Sequence, residues 1–190
     1  MNVAITGGIG SGKTYVCRRL EALGGSSVYD CDAAAKRIMR TSEAVRRQLI
    51  SLVGPAVYDQ QTLQKRVLAA YILRGEREKQ AVNDIVHPAV AADFLSSGQS
   101  WLESAILFES GFDRRISFDH IVCVSAPTDV RVSRITLRDH ISTAQAQAWI
   151  DAQMPQQEME RRSQHVIVND GTADIDTQII NILNKINIKV

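Results

Sequence analysis

Gly7-Gly8-Ile9-Gly10-Ser11-Gly12-Lys13-Thr14 constrains this chain more than any other stretch, because it fits G-x-x-x-x-G-K-[ST], the phosphate-binding loop. Before it, Asn2-Val3-Ala4-Ile5-Thr6 reads as a short buried strand. After it, Tyr15 to Leu23 carries Val16, Leu20 and Leu23 at helical spacing. Strand, glycine loop and helix in that order are the context the motif needs. The glycines let the backbone turn tightly with its N–H groups inward, and the N-terminus of the following helix adds about half a positive charge. Lys13 can reach β- and γ-phosphates, and Thr14 can offer a hydroxyl to Mg²⁺. A glycine-rich turn that only joins strand to helix is the alternative, and the flanking elements weigh against it. Gly8, Ile9, Gly10, Ser11, Gly12, Lys13, Thr14 and Tyr15 are the expected nucleotide contacts.

With 190 residues the chain can bury one sizeable core, with room for an inserted subdomain. Its 45% hydrophobic and 23% charged residues are ordinary for a soluble globular protein. A net charge of +1 gives no argument for nucleic acid or a membrane surface, so any basic site must be local. An apolar run that starts at residue 2 leaves no room for a leader peptide, and no run approaches the length of a membrane span. Cys17, Cys31 and Cys123 are scattered and lack metal-site spacing, which reads as reduced thiols in a cytoplasmic protein.

Further strand-like runs are Ser27-Val28-Tyr29, Trp101 to Leu107, His120 to Ser125 and His165 to Val168, with helical stretches between them. Strands alternating with helices predict a five-stranded parallel sheet covered on both faces, with ligands at the carboxyl ends of the strands. The second strand exits into Asp30-Cys31-Asp32. One of these carboxylates can serve as a base near the γ-phosphate, or Asp32 can cap the helix that begins at Ala33-Ala34-Ala35. Residues 33–95 read as mostly helical, with a polar turn at Asp59-Gln60-Gln61, and are far longer than one crossover helix needs. A helical insertion that takes the acceptor substrate accounts for the excess. His87-Pro88 predicts a helix break there, with Pro88 opening the next helix.

Glu109, after the third strand, reads as a site residue or as a helix-start carboxylate. Arg131, Arg134 and Arg138 share one helical face, Ser142 and Gln145 have capping-box spacing, and a third helix opens at Pro155 and carries Arg161 and Arg162. This row of arginines fits either a lid over a triphosphate or a solvated charged face. Val168-Asn169-Asp170-Gly171 ends the last strand in turn residues where an adenine could be gripped. The final helix, Asp174 to Ile186, places Ile175, Ile179, Ile182 and Ile186 on one core-facing side.

Together these marks resemble the dephospho-CoA kinase family. They are Thr6-Gly7-Gly8-Ile9-Gly10-Ser11-Gly12-Lys13, Asp30-x-Asp32, His87-Pro88, Leu107-Phe108-Glu109, Arg138-Asp139, Gln153, and Val166-Ile167-Val168-Asn169-Asp170-Gly171. They run in the family's order from residue 2 to about residue 171. The resemblance implies a P-loop NTPase fold in one domain: core 1–32, 100–127 and 165–190, helical CoA-binding insertion 33–99, and lid 128–164. It implies transfer of the ATP γ-phosphoryl group to the ribose 3′-hydroxyl of dephospho-CoA, with Mg²⁺ held through Thr14, in a cytoplasmic monomer with no nucleic-acid or membrane partner. It makes Asp32 the general base and Lys13 and Arg138 the charge stabilisers. Asn169 joins the nucleotide contacts, and Asp30, Lys36 and His87 the acceptor site. Two places depart from the family: Ala105 stands where a proline is usual, and Met154-Pro155-Gln156-Gln157 lacks an arginine that Arg161 or Arg162 would have to replace. Other readings are a nucleoside monophosphate or sugar-acid kinase, and a GTP switch. The nearest guanine-type motif, Asn184-Lys185-Ile186-Asn187, lacks its acid.

Overall fold

The computed structural model describes residues 1–24 and 27–188. In chain order the elements are β1 (Val3–Thr6), α1 (Lys13–Gly24), β2 (Val28–Asp30), α2 (Cys31–Thr41), α3 (Glu43–Val53), β3 (Tyr58–Asp59) and β4 (Thr62–Leu63). They continue with α4 (Lys65–Ile72), α5 (Glu76–Ser97), β5 (Trp101–Glu103), α6 (Phe112–Arg115), β6 (His120–Ser125) and α7 (Thr128–Asp139). The last are α8 (Thr143–Asp151), α9 (Gln156–Arg161), β7 (His165–Val168) and α10 (Ile175–Lys185).

Five strands form one parallel sheet in the order β2-β5-β1-β6-β7. β1 is central, and its residues are at most 1% exposed, as expected of a continuous apolar strand covered on both faces. On one face, Val16 and Leu20 of α1 pack with Ile179, Ile182 and Leu183 of α10 against Ile5, Val122 and Ile167 of the sheet. The isoleucines of the last helix therefore face the core at their expected spacing. Asp174 caps that helix through the Thr177 N–H. The register sets Ile5 opposite Glu103 and Thr6 opposite Cys123, so β1 and β5 end nearly level at the glycine loop while β6 runs on to Ser125.

The third strand is shorter than its apolar run predicts. It ends at Glu103: the Ser104 N–H still bonds to the Ile5 carbonyl (3.0 Å), and beyond it the chain coils. Ser110 N–H bonds to Ile106 O (2.8 Å) and Phe112 N–H to Leu107 O (3.1 Å), which buries Leu107 and Phe108 in turns rather than in a strand.

Residues 30–98 make a second compact unit. It is mainly helical, as expected, but the polar turn at 59–61 proves to be the tip of a two-stranded hairpin, β3–β4, with Gln60 at φ +52°. Leu63 therefore lies in a strand, and the helix starts at Lys65. The break expected at His87-Pro88 does not occur: α5 runs through Pro88 from Glu76 to Ser97. The lost amide and the bias on His87 are outweighed by Val82, Val86, Val90, Ala91 and Phe94, buried on both sides of the proline. The cap of α2 is Asp30, not Asp32: its carboxylate accepts the Ala33 N–H at 2.9 Å, while Asp32 lies in the first turn.

Phe94 is 1% exposed within the helical unit. Phe94→Ala should destabilise the protein by roughly 3–5 kcal/mol, read as a lowered urea midpoint.

Candidate functional site

The loop Gly7–Thr14 joins β1 to α1 at the carboxyl end of the sheet. Its shape depends on glycine at positions beyond the motif's own two. Gly12 has φ +90°, and a Cβ there would collide with Asn169 Nδ2. Gly10 has φ +79°, and a Cβ would lie 2.8 Å from the Arg131 carbonyl oxygen. A Cβ on Gly8 would strike the Arg131 guanidinium. Gly8 and Gly10 occupy free positions of the pattern; the backbone of the first turn of α7 requires glycine at 10, and at 8 a side chain would have to displace the Arg131 guanidinium.

The carbonyl side of the loop is held by donors from two other elements. Arg131 Nε donates to Ile9 O at 2.9 Å. Arg134 Nη1 donates to Asn169 O at 3.0 Å and reaches Gly10 O and Ser11 O at 3.4 Å each. Asn169 Nδ2 donates to Ser11 O at 2.8 Å. On the amide side, Ile9 N–H donates to Gln153 Oε1 at 2.7 Å. The Ile9 side chain also joins a small core with Ile135, Ala146 and Ile150 of α7 and α8.

Lys13 Nζ lies 3.4 Å from Gly8 O and 3.8 Å from Glu103 Oε1, both side chains being largely buried. The hydroxyls of Thr6, Ser11 and Ser104 are buried there without a partner among the described residues. Such orphaned groups suit a site that takes a polar ligand or ordered water. Thr14 stands exposed on the first turn of α1. Cys123, level with Thr6, is fully buried, and burial pushes its thiol up to about 12, so it stays neutral. Beside the loop, Gly12, Tyr15, Arg134, Asn169, Gly171, Ala173 and Ile175 line a hollow of about 430 Å³. Tyr15 is 54% exposed, whereas Asn169 is buried with its amide turned to the loop.

The arginine row divides by burial. Arg131 is buried, Arg134 half-buried and Arg138 exposed. Arg138 holds the neighbouring Asp139 carboxylate (2.6 Å) and lowers its pKa. Arg162 is committed elsewhere: it pairs with Asp113 at 2.7 Å and lies 4.0 Å over the Phe108 ring. Arg161, exposed, pairs with Glu158 within α9. Glu109 accepts the Met154 N–H at 3.1 Å, and the acid beside Lys13 is Glu103 instead. Glu103 and Gln153 are the site residues that motif spacing does not single out as loop contacts. The only sequence signal for Glu103 is a charge at the end of the apolar Trp101-Leu102 pair.

In the helical unit, Asp30, Asp32 and Lys36 are exposed on β2 and the first turns of α2, and His87 is 9% exposed inside α5. Lys36, Arg40 and Lys65 rim a hollow of about 520 Å³ whose floor includes Met39, Leu63, Leu68 and Ile72.

Gly12→Ala meets both a positive φ and the Asn169 amide, so it should remove ATP-induced thermal stabilisation while the folded chain survives. Retained stabilisation by ATP would mean that the loop tolerates a side chain there.

The dephospho-CoA kinase family model matches residues 1–174. A dephospho-CoA kinase of Bacteroides fragilis is 38% identical over 190 aligned residues, covering 96% of this chain and 91% of that one. A solved structure from Thermus thermophilus superposes with TM-score 0.81 at 29% identity, covering 97% of this chain and 96% of that one. The dephospho-CoA kinase of Campylobacter jejuni shares the fold with TM-score 0.67 at 19% identity, over 97% of this chain and 96% of that one. With a phosphate loop at the carboxyl end of a parallel sheet and a family match spanning nearly its whole length, this chain belongs to the dephospho-CoA kinase family.

Proposed function

We propose that the chain transfers the γ-phosphoryl group of ATP to the ribose 3′-hydroxyl of dephospho-CoA, giving CoA and ADP, the last step of CoA synthesis. The observation that carries this is a family match that runs from the phosphate loop through the helical unit to residue 174. ATP places its phosphates in the loop and its adenosine in the hollow beside Tyr15, Arg134 and Asn169. The helical unit, residues 33–99, takes the acceptor. Its hollow offers Lys36, Arg40 and Lys65 to a pyrophosphate and an apolar floor to the pantetheine arm, and Asp30 and His87 complete the acceptor site.

Asp32 accepts the proton of the 3′-hydroxyl as its oxygen bonds to the γ-phosphorus and the bond to the β-phosphate oxygen breaks. Asp32 lies exposed on the first turn of α2, open to a hydroxyl that approaches it. Lys13 and Arg138 stabilise the charge on the transferring group. Residues 128–164 form a lid that excludes water from the reaction. The Thr14 hydroxyl, a hard oxygen donor exposed on the helix turn after Lys13, fits Mg²⁺. An ion held by Thr14 would supply positive charge against the phosphates during transfer. The proposal takes the enzyme as a cytoplasmic monomer without a nucleic-acid partner. No described helix is long and apolar enough to cross a membrane.

A coupled ADP-release assay with Mg-ATP tests the reaction. Release should require dephospho-CoA, and the product should carry phosphate on the ribose 3′-oxygen. Release driven instead by a nucleoside monophosphate or a sugar acid would overturn the acceptor. Lys13→Ala should abolish turnover. Asp32→Asn should lower kcat roughly 10²–10⁴-fold with the KM for ATP kept. Asp30→Asn should change kcat little if Asp30 serves mainly to cap α2, because asparagine caps a helix as well as aspartate does. The opposite ranking would make Asp30 the base.

A further inference from the structure

Arg131 is the only Lys, Arg, Asp or Glu side chain that is buried among the described residues, at 3% exposure. Burial works against its charge and lowers its pKa. A guanidinium in that position ordinarily has a carboxylate partner. Arg131 has none among the described residues.

Its acceptors are neutral. Nε donates to Ile9 O at 2.9 Å, and Nη1 reaches Gln156 Oε1 at 3.4 Å. Gln156 in turn donates to Ser125 Oγ at 2.8 Å, and Ser125 donates to Glu160 at 2.6 Å. The carboxylate at the end of that relay is bonded to the serine hydroxyl, two side chains away from the guanidinium. The tip of the Arg131 guanidinium fills the space beside Gly8, at the start of the phosphate loop, that a side chain there would need. The two peptide groups that flank the Ile9 Cα are both held, the carbonyl of one by Arg131 and the N–H of the other by Gln153.

We propose that Arg131 is a built-in counter-charge for the triphosphate: a positive charge buried against the outside of the loop, beside neutral groups only, and compensated by the anion that the loop binds. This rests on the reading of the loop as a triphosphate site. Arg131 is a positioning residue, since it acts through the Ile9 peptide and through its field. A fixed cation in a water-poor setting acts on a phosphate far more strongly than a solvated one. Its effect grows with the charge of the ligand and vanishes for an uncharged nucleoside. The geometry also explains why glycine stands at position 10, where the motif asks for none: a Cβ there would meet the Arg131 backbone.

Calorimetric titration of ATP and adenosine into the whole chain and into R131Q and R131K separates charge from bonding. R131Q keeps an amide donor and loses the charge, whereas R131K keeps the charge and loses the planar fork. R131Q should weaken ATP by at least about tenfold while adenosine changes by less than about twofold, and R131K should recover most of the ATP affinity. Equal losses of ATP affinity in both variants, or adenosine weakening in step with ATP, would overturn the inference. Wild-type protein that binds ATP no better than adenosine would instead remove the triphosphate reading of the loop, and this inference with it. Should R131Q not fold, the wild-type chain still decides the matter. The Arg131 Nε–H signal in an NMR spectrum, identified by its loss in R131K, should move with inorganic tripolyphosphate and stay with adenosine. A signal that tripolyphosphate leaves in place would sink the idea.

Discussion

A phosphate loop must turn its N–H groups toward an anion, so each carbonyl oxygen on its other side needs a donor from elsewhere. Much of this structure serves that need. Arg131 and Arg134 from α7 and Asn169 from the end of β7 bond to the carbonyls of residues 9–11. These elements come from distant parts of the sequence, and the sheet order puts them side by side: β6 adjoins β1, and β7 adjoins β6. The loop's geometry is therefore a property of the sheet as much as of eight consecutive residues.

The sheet can do this because its middle is fully buried. β1 is buried on both faces, and α1 and α10 close one side with interlocking aliphatic side chains. Apolar packing of this kind fixes strand position to within a residue, since a slip would swap the side chains that each face packs against its helices. The resulting register sets Glu103 and Cys123 level with the last residues of β1. One is the carboxylate beside Lys13, and the other is a thiol held neutral by burial.

The sequence was easiest to read where the signal is local. The ends of β6 and β7 stand where their apolar runs end, and the capping box at Ser142 and Gln145 forms as spaced. Local signals also misled where packing competes with them. Pro88 marks a helix break in sequence, yet a run of buried aliphatic side chains carries α5 through it. Ala105 and Ile106 extend an apolar run, yet Ser104 makes the last bond to the sheet and the chain turns away after it. Asp32 reads as the helix cap from its place before Ala33, yet α2 starts at Cys31, which makes Asp30 the cap and puts Asp32 in the first turn. Arg131, Arg134 and Arg138 are alike in spacing, but their environments run from buried to exposed because α7 leans on the loop at one end only.

The sequence by itself determined the phosphate loop, the alternation of strands and helices, the long helical excursion between the second and third strands, and the family. Each of these is encoded in contiguous residues, through glycine spacing, apolar periodicity or ordered motifs. Only the tertiary structure decided which groups hold the loop. The choice of Glu103 beside Lys13, of Gln153 on the Ile9 amide and of Arg131 as a buried charge without a carboxylate depends on strand register and helix packing. Those quantities arise from contacts between residues far apart in the chain, which no local pattern records.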